Sequence, residues 1–192
     1  MGKSRPARHV KRTLLIVCEG DAEEVLLQHL RKTYLRDQQG SGIALKIKNH
    51  HGKGGDGVLQ TTIRIAQRER QAWDHVAVMI DTDKDWGDAQ RQQARSQRIH
   101  ALESTPCLEA WLLEVVGQRA PAMTADCKRK FFSQFGAEAH DDTLHGRHFP
   151  RHVLDAARAR ISVLDELLTL LGVPNGSSPP APQTAPSPPD RP

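Results

Sequence analysis

Apolar residues in this chain fall into short β-branched runs that alternate with stretches of helical spacing. Thr13 to Cys18 and Val76 to Ile80 are nearly unbroken hydrophobic runs bounded by polar or turn residues, the signature of parallel strands buried on both faces. Ile43 to Ile47 alternates with a period near two and predicts another strand; Ile99 to Leu102 predicts a fourth. Between these runs, the stretch from Ala22 to Arg36 places Leu26, Leu27, Leu30 and Tyr34 at helical spacing, with Asp21 as its cap and Glu24 completing a capping box. Val58 to Arg70 carries Leu59, Ile63 and Ala66 on one side of a second helix, and Asp88 to Gln97 is a polar, exposed one. Leu108 to Val116 predicts a strongly apolar helix, and Val153 to Leu171 a single long amphipathic helix closed by Gly172 and Pro174. Strands separated by helices predict an α/β fold: a mostly parallel sheet, right-handed crossovers and a helical carboxyl-terminal extension.

The chemistry is written where the strands end. Glu19-Gly20 follows the first run directly, and Asp81-Thr82-Asp83-Lys84-Asp85 follows the third. In an open α/β sheet the binding crevice lies beyond the carboxyl ends of the strands. Carboxylates gathered there repel one another unless a cation stands between them. Residues two apart in an extended segment project to one side, so Asp81 and Asp83 can address one ion and Glu19 can complete its oxygen cage. Hard oxygen donors select Mg²⁺ or Mn²⁺ rather than zinc. The competing reading is local: an Asp after a strand also caps turns and helices, which already explains Asp21 and Glu24 and would explain Asp85 and Asp88.

Charge and cysteine usage narrow the picture less. The chain has 192 residues and a formal charge of +4, so net charge alone selects no partner. Lys3, Arg5, Arg8, His9, Lys11 and Arg12 form a basic arm, suited to nucleic acid or simply solvated. Cys18, Cys107 and Cys127 contain no C-x-x-C pair, which leaves a zinc ribbon unsupported and fits a reducing cytoplasm; Cys18 and Cys107 read as small core residues. No signal peptide and no bilayer-length apolar run is evident, so a cytoplasmic protein without membrane contact is expected. Residues 1–11 are expected to be a flexible basic arm, 12–116 the catalytic core, 117–173 the helical extension packed on that core, and 174–192 a disordered Pro/Ser-rich tail.

The order of the acids, Glu after the first strand and Asp-x-Asp after the third, resembles the TOPRIM domain of topoisomerases, primases and OLD-type nucleases. Leu14 to Glu24 (LLIVCEGDAEE), the Gly-rich His51-Gly52-Lys53-Gly54-Gly55, Asp81-Thr82-Asp83, and above all Ser104 to Leu113 (STPCLEAWLL) resemble the RloB-like branch of these proteins. Glu23 stands where that branch usually has Thr, and Glu24 where it has Glu; Thr105 replaces Asn, and Leu108 replaces Phe. The resemblance implies a Mg²⁺- or Mn²⁺-dependent, nuclease-like core of a bacterial restriction or anti-phage system, often encoded beside an ATPase partner and acting on DNA or RNA. A homo-oligomer is compatible with it.

On this reading Glu19, Asp81 and Asp83 hold metal. Glu23 or Glu24, Asp85 and Glu109 assist as further ligands or as the base for water. Glu109 lies in an otherwise apolar helix and needs a partner or an ion, unless it shares a polar side with Glu114. Ser104 bonds a phosphate or caps the helix that follows, or does both. Lys53 touches a phosphate from its glycine-rich loop or is plain surface, since the P-loop pattern is absent. Lys128, Lys130 and Arg147 are candidate phosphate contacts. His140, His145, His148 and His152 match no strong zinc pattern and read as a basic, phosphate-facing loop with Arg147 and Arg151. A topoisomerase is disfavoured because the sole tyrosine, Tyr34, lies on an apolar helix face. The alternative to a nuclease is a non-catalytic subunit that binds metal or a nucleotide for an ATPase partner.

Overall fold

The computed structural model describes residues 11–35, 42–52 and 54–174. The expected basic arm, the proline-rich tail and Lys53 therefore lie wholly or almost wholly outside the described residues. Four strands form one parallel sheet: β1 (Arg12–Cys18), β2 (Ile43–Asn49), β3 (His75–Asp81) and β4 (His100–Ser104), in the order β2-β1-β3-β4. The connecting helices are α1 (Asp21–Leu35), α2 (Gly54–Arg68) and α3 (Asp88–Ser96); α4 (Leu108–Val115), α5 (Thr124–Phe135), α6 (Asp142–His148), α7 (Arg151–Arg158) and α8 (Ser162–Leu170) follow β4.

Strand periodicity divides the core in two. Leu14, Ile16, Cys18, Ala77, Met79 and Leu102 face α1 and the helices after β4, and are packed with Leu26, Leu30, Trp111, Phe149, Leu164 and Leu168. Leu15, Val17, Val78 and Ile80 face the other way, onto Val58, Leu59, Ile63 and Ala94 of α2 and α3. The chain leaves β1 toward β2 over one face, and then runs from β2 to β3 and from β3 to β4 over the opposite face. Right-handed crossovers running in opposite directions require this arrangement. The strand order consequently reverses between β1 and β3, which makes the gap above their carboxyl ends the switch point where such sheets bind ligands.

Three local expectations are corrected. Asp21 is the first helical residue and not the cap. Gly20 occupies the cap position, its carbonyl accepts from the Glu24 N–H at 3.2 Å, and its own N–H donates to Glu23 Oε2 at 3.0 Å. The capping carboxylate is thus Glu23, three residues past the cap. The second helix begins at Gly54 and takes in half of the glycine-rich stretch. The long helix expected over 153–171 is two helices, α7 and α8, separated at Ala159-Arg160-Ile161.

Candidate functional site

Each strand end delivers a polar group to the switch point. Cys18 pairs with Met79, so Glu19 and Asp81 leave the sheet at nearly the same level, and the Glu19 N–H donates to Met79 O at 3.2 Å. Asp81 pairs in register with Ser104 on β4. Side chains two apart share a sheet face, so Asp81 follows Ala77 and Met79 onto the side covered by α1 and α4. Those two helices begin there. Glu23 lies in the first turn of α1 and Glu109 in the first turn of α4, and both are buried. A carboxylate in a helix's first turn meets unpaired N–H groups and the positive end of the macrodipole, which makes burial of these two charges tolerable.

The electrostatics record this convergence. Burial pushes the Asp81 carboxyl up to about 8, and the charges of Glu23, Glu109, Glu19 and Asp83 push the same way. Burial also raises Glu23, against the restoring pull of backbone hydrogen bonds, with Glu19 and Glu109 adding to the rise. Glu19 is raised by burial, held back by a backbone bond from Asp81, and raised again by the charges of Asp83 and Asp85. Two cations answer them: Lys84 pulls Glu19 back down, and Lys128 faces Glu109 and Asp81. Burial works to lower the Lys128 ammonium, yet Glu109 and Asp81 outweigh it and hold its pKa above the ordinary lysine value. Lys128 is on α5, which packs on α4.

Two buried polar atoms at this spot have no hydrogen-bond partner among the described residues: Asp81 Oδ1 and Ser104 Oγ, on the paired ends of β3 and β4. An orphaned, buried carboxylate oxygen carries a large desolvation cost and is a place where a ligand or cation is favourable. Among the described residues, no three Asp, Glu, His or Cys side chains are drawn close enough together to grip one ion. By donor type and by the orphaned oxygen, the set suits a hard divalent cation.

The remaining expected residues are distributed around this centre. Asp83 accepts a hydrogen bond from Thr124 Oγ1 at 2.7 Å, which ties the Asp-x-Asp loop to the start of α5. Asp85 has a left-handed φ of 51° and approaches Gly54, where a Cβ would meet Asp85 Oδ2 at 3.0 Å; Gly55 lies as closely against Trp86. Gly54 and Gly55, at the start of α2, therefore serve close packing on the acidic loop. The Gly52 N–H donates to Glu19 O at 2.7 Å, just past the end of β1. Asp21 and Glu24 both turn to Asn49 at the end of β2, accepting from its Nδ2 at 2.7 and 3.0 Å. Of the two adjacent glutamates, it is Glu23 that faces Asp81.

Two cations proposed from the sequence are elsewhere. Lys130 donates to the Arg119 carbonyl at 2.8 Å, and Arg147 is exposed on α6. In the histidine-rich stretch, His145 is structural. His145 is buried, bonded to Ala139 O at 2.7 Å and packed against Phe149 and His29. Asp141 caps α6, and Arg151 lies over the Tyr34 ring. Tyr34, 2% exposed, donates to Asp155 at 2.7 Å.

Residues the sequence reading passed over are Thr124 and Asn49, which hold the site's outer acids. Asn49 was signalled by its place at a strand end. Thr124 belongs to α5, whose apolar positions Cys127, Phe131 and Phe135 recur every four residues, a helical signal left unused.

No described helix is long and apolar enough to cross a membrane. Neither the curated proteins nor the solved structures yield a match. Among known families, residues 14–163 match RloB-like protein, a span that contains β1 from Leu14 onward, the other three strands, the whole carboxylate centre and the helices through α7. This chain belongs to the RloB-like family.

Proposed function

We propose that this protein is a Mg²⁺- or Mn²⁺-dependent, nuclease-like enzyme of the TOPRIM type that hydrolyses nucleic-acid phosphodiester bonds. The observation that carries the reading is Asp81: buried, surrounded by four other carboxylates, one oxygen unpartnered, at the switch point of a parallel sheet. A structural acid is not kept in such company, because each of these four carboxylates raises the cost of its charge.

Glu19, Asp81 and Asp83 would hold the cation, with Glu23 behind Asp81 and with Glu24 and Asp85 one step outward. A divalent ion there supplies a Lewis acid beside a phosphoryl oxygen. Lys128, the cation facing this cluster, offsets charge on the phosphate. Glu109, buried beside it, takes the proton of the attacking water. Ser104 Oγ, free of any partner, donates to a phosphate oxygen. From the family resemblance we place the activity in bacterial restriction or anti-phage defence, with an ATPase as the partner protein.

The test is incubation of purified protein with plasmid, single-stranded DNA and RNA in Mg²⁺ or Mn²⁺, alongside Asp81→Ala. We expect strand scission by the wild type and none by the variant. A wild type that is inert on all three, yet is stabilised by Mn²⁺, overturns hydrolysis and leaves a metal-binding subunit.

A further inference from the structure

A cleft of about 460 Å³ opens beside the carboxylate centre, between the starts of α1 and α4, helix α5 and the segment leading to α6. It shares Glu109 with that centre, and Lys128 also lines it. Its remaining character is different. Phe131 forms a buried floor at 1% exposure, while Phe132 projects at 54%, one of two large hydrophobic side chains left exposed among the described residues. Arg129 and His140 stand on its rim, each paired with a surface acid, Asp126 and Glu138, that a phosphate could replace.

We propose that this cleft takes one unpaired nucleotide of a single strand, its base stacked on Phe132 and its phosphate toward Lys128, next to the bond to be cut. The inference rests on the nucleic-acid reading above and names its substrate class. The volume lies in the lower part of the usual range for small-ligand sites, about 300–1,000 Å³. An aromatic face beside cations is the means by which proteins hold single strands without reading sequence. A base in a duplex is stacked on both faces and reaches Phe132 only if it is extruded. The chemistry therefore favours single strands or frayed ends over intact duplex.

The test is fluorescence anisotropy with labelled oligodeoxyuridylate, oligouridylate and a blunt hairpin duplex. All chains carry Asp81→Asn, so nothing is cut and binding is read independently of catalysis. We expect Phe132→Ala to weaken single-strand binding by about tenfold. Phe132→Trp should restore it, and duplex affinity should not move. Dependence on Phe132 in either single strand supports the proposal, and the two arms identify the sugar. Unchanged single-strand affinity in Phe132→Ala overturns it, as does equal weakening toward duplex, or absence of single-strand binding altogether. Because Phe132 is exposed, the variant should keep its circular-dichroism melting curve. Should the protein without Asp81→Asn cut none of the three substrates of the cleavage test while the Asp81→Asn chain still needs Phe132 for binding, the nuclease reading falls and single-strand binding at this cleft stands.

Discussion

Asp81 concentrates the physical argument at the level of single residues. Its carboxyl keeps a proton to about pH 8 in the folded chain, through burial first and its acidic neighbours second. In the unfolded chain the same group ionises near its ordinary value, about 3.9. Between those values the folded state binds more protons, so stability falls as pH rises across the window. Asp81→Asn removes that ionisation. In EDTA at pH 8.5 the variant should therefore melt several degrees above the wild type, and the gap should shrink toward pH 5. Mn²⁺ should reverse the ranking by raising only the wild type's Tm, and by more at pH 8.5 than at 6.5, because proton and cation compete for one carboxylate. Thermal unfolding by circular dichroism measures all of this; a gap that does not vary with pH would refute the account. At this scale the sequence was most legible where a strand ended. Glu19, Asp81 and Ser104 were placed by the hydrophobic runs before them and by motif. Which of Glu23 and Glu24 turns inward was not, because it depends on Gly20 rather than Asp21 occupying the helix cap, a one-residue phase that alters which carboxylate points at the sheet.

The existence of an element was legible where period and punctuation agreed, its boundaries less so: the glycine-rich stretch hid the first turn of α2, and tertiary contact hid the break between α7 and α8. All four strands and the first four helices follow from period and punctuation. The break between α7 and α8 has no Gly or Pro to announce it, and its apolar residues stay in phase because Leu154, Ala157, Leu164 and Leu168 all enter one core. What occupies the bend is Arg158, whose side chain is 9% exposed. Its guanidinium donates to Asp165 at 2.7 Å, to the Val173 and Pro174 carbonyls at 3.0 and 2.9 Å, and to Thr169 Oγ1 at 3.0 Å. One cation thereby fastens the end of α7 to both ends of α8. Removing it strands the Val173 carbonyl inside, while Thr169, which is exposed, and Asp165, about half exposed, can be rehydrated. Arg158→Ala should accordingly cost about 2–3 kcal/mol, below the full cost of breaking a wholly buried pair. A urea titration reads it; a loss under about 0.5 kcal/mol would mean the bend is held by apolar packing alone.

Over the whole molecule, the helices that follow the sheet are part of the core and not an accessory to it. Leu14, Ile16 and Met79 on the sheet are sealed by Phe149, Leu164, Leu167 and Leu168, all at 0–1% exposure. The carboxylate centre shares this dependence, since Lys128 and Thr124 reach it from α5, beyond the last strand. A boundary drawn after residue 116 from sequence alone separates motif from non-motif, but in space it would cut through one hydrophobic cluster. The three tryptophans make the consequence measurable. Trp73 and Trp86 belong to the face covered by α2 and α3, and Trp111 to the face covered by α1 and the later helices. In Trp111→Phe, fluorescence reports only the first face, while far-ultraviolet circular dichroism reports every helix. If both faces fold as one unit, the two signals trace a single coincident transition in urea. If the later helices can detach, circular dichroism should change at lower urea than fluorescence. We expect coincidence, because detachment would bare the apolar side of β1 and β3 to water, and about 25 cal/mol for each Å² of it is more than the four short helices after residue 116 can offset on their own.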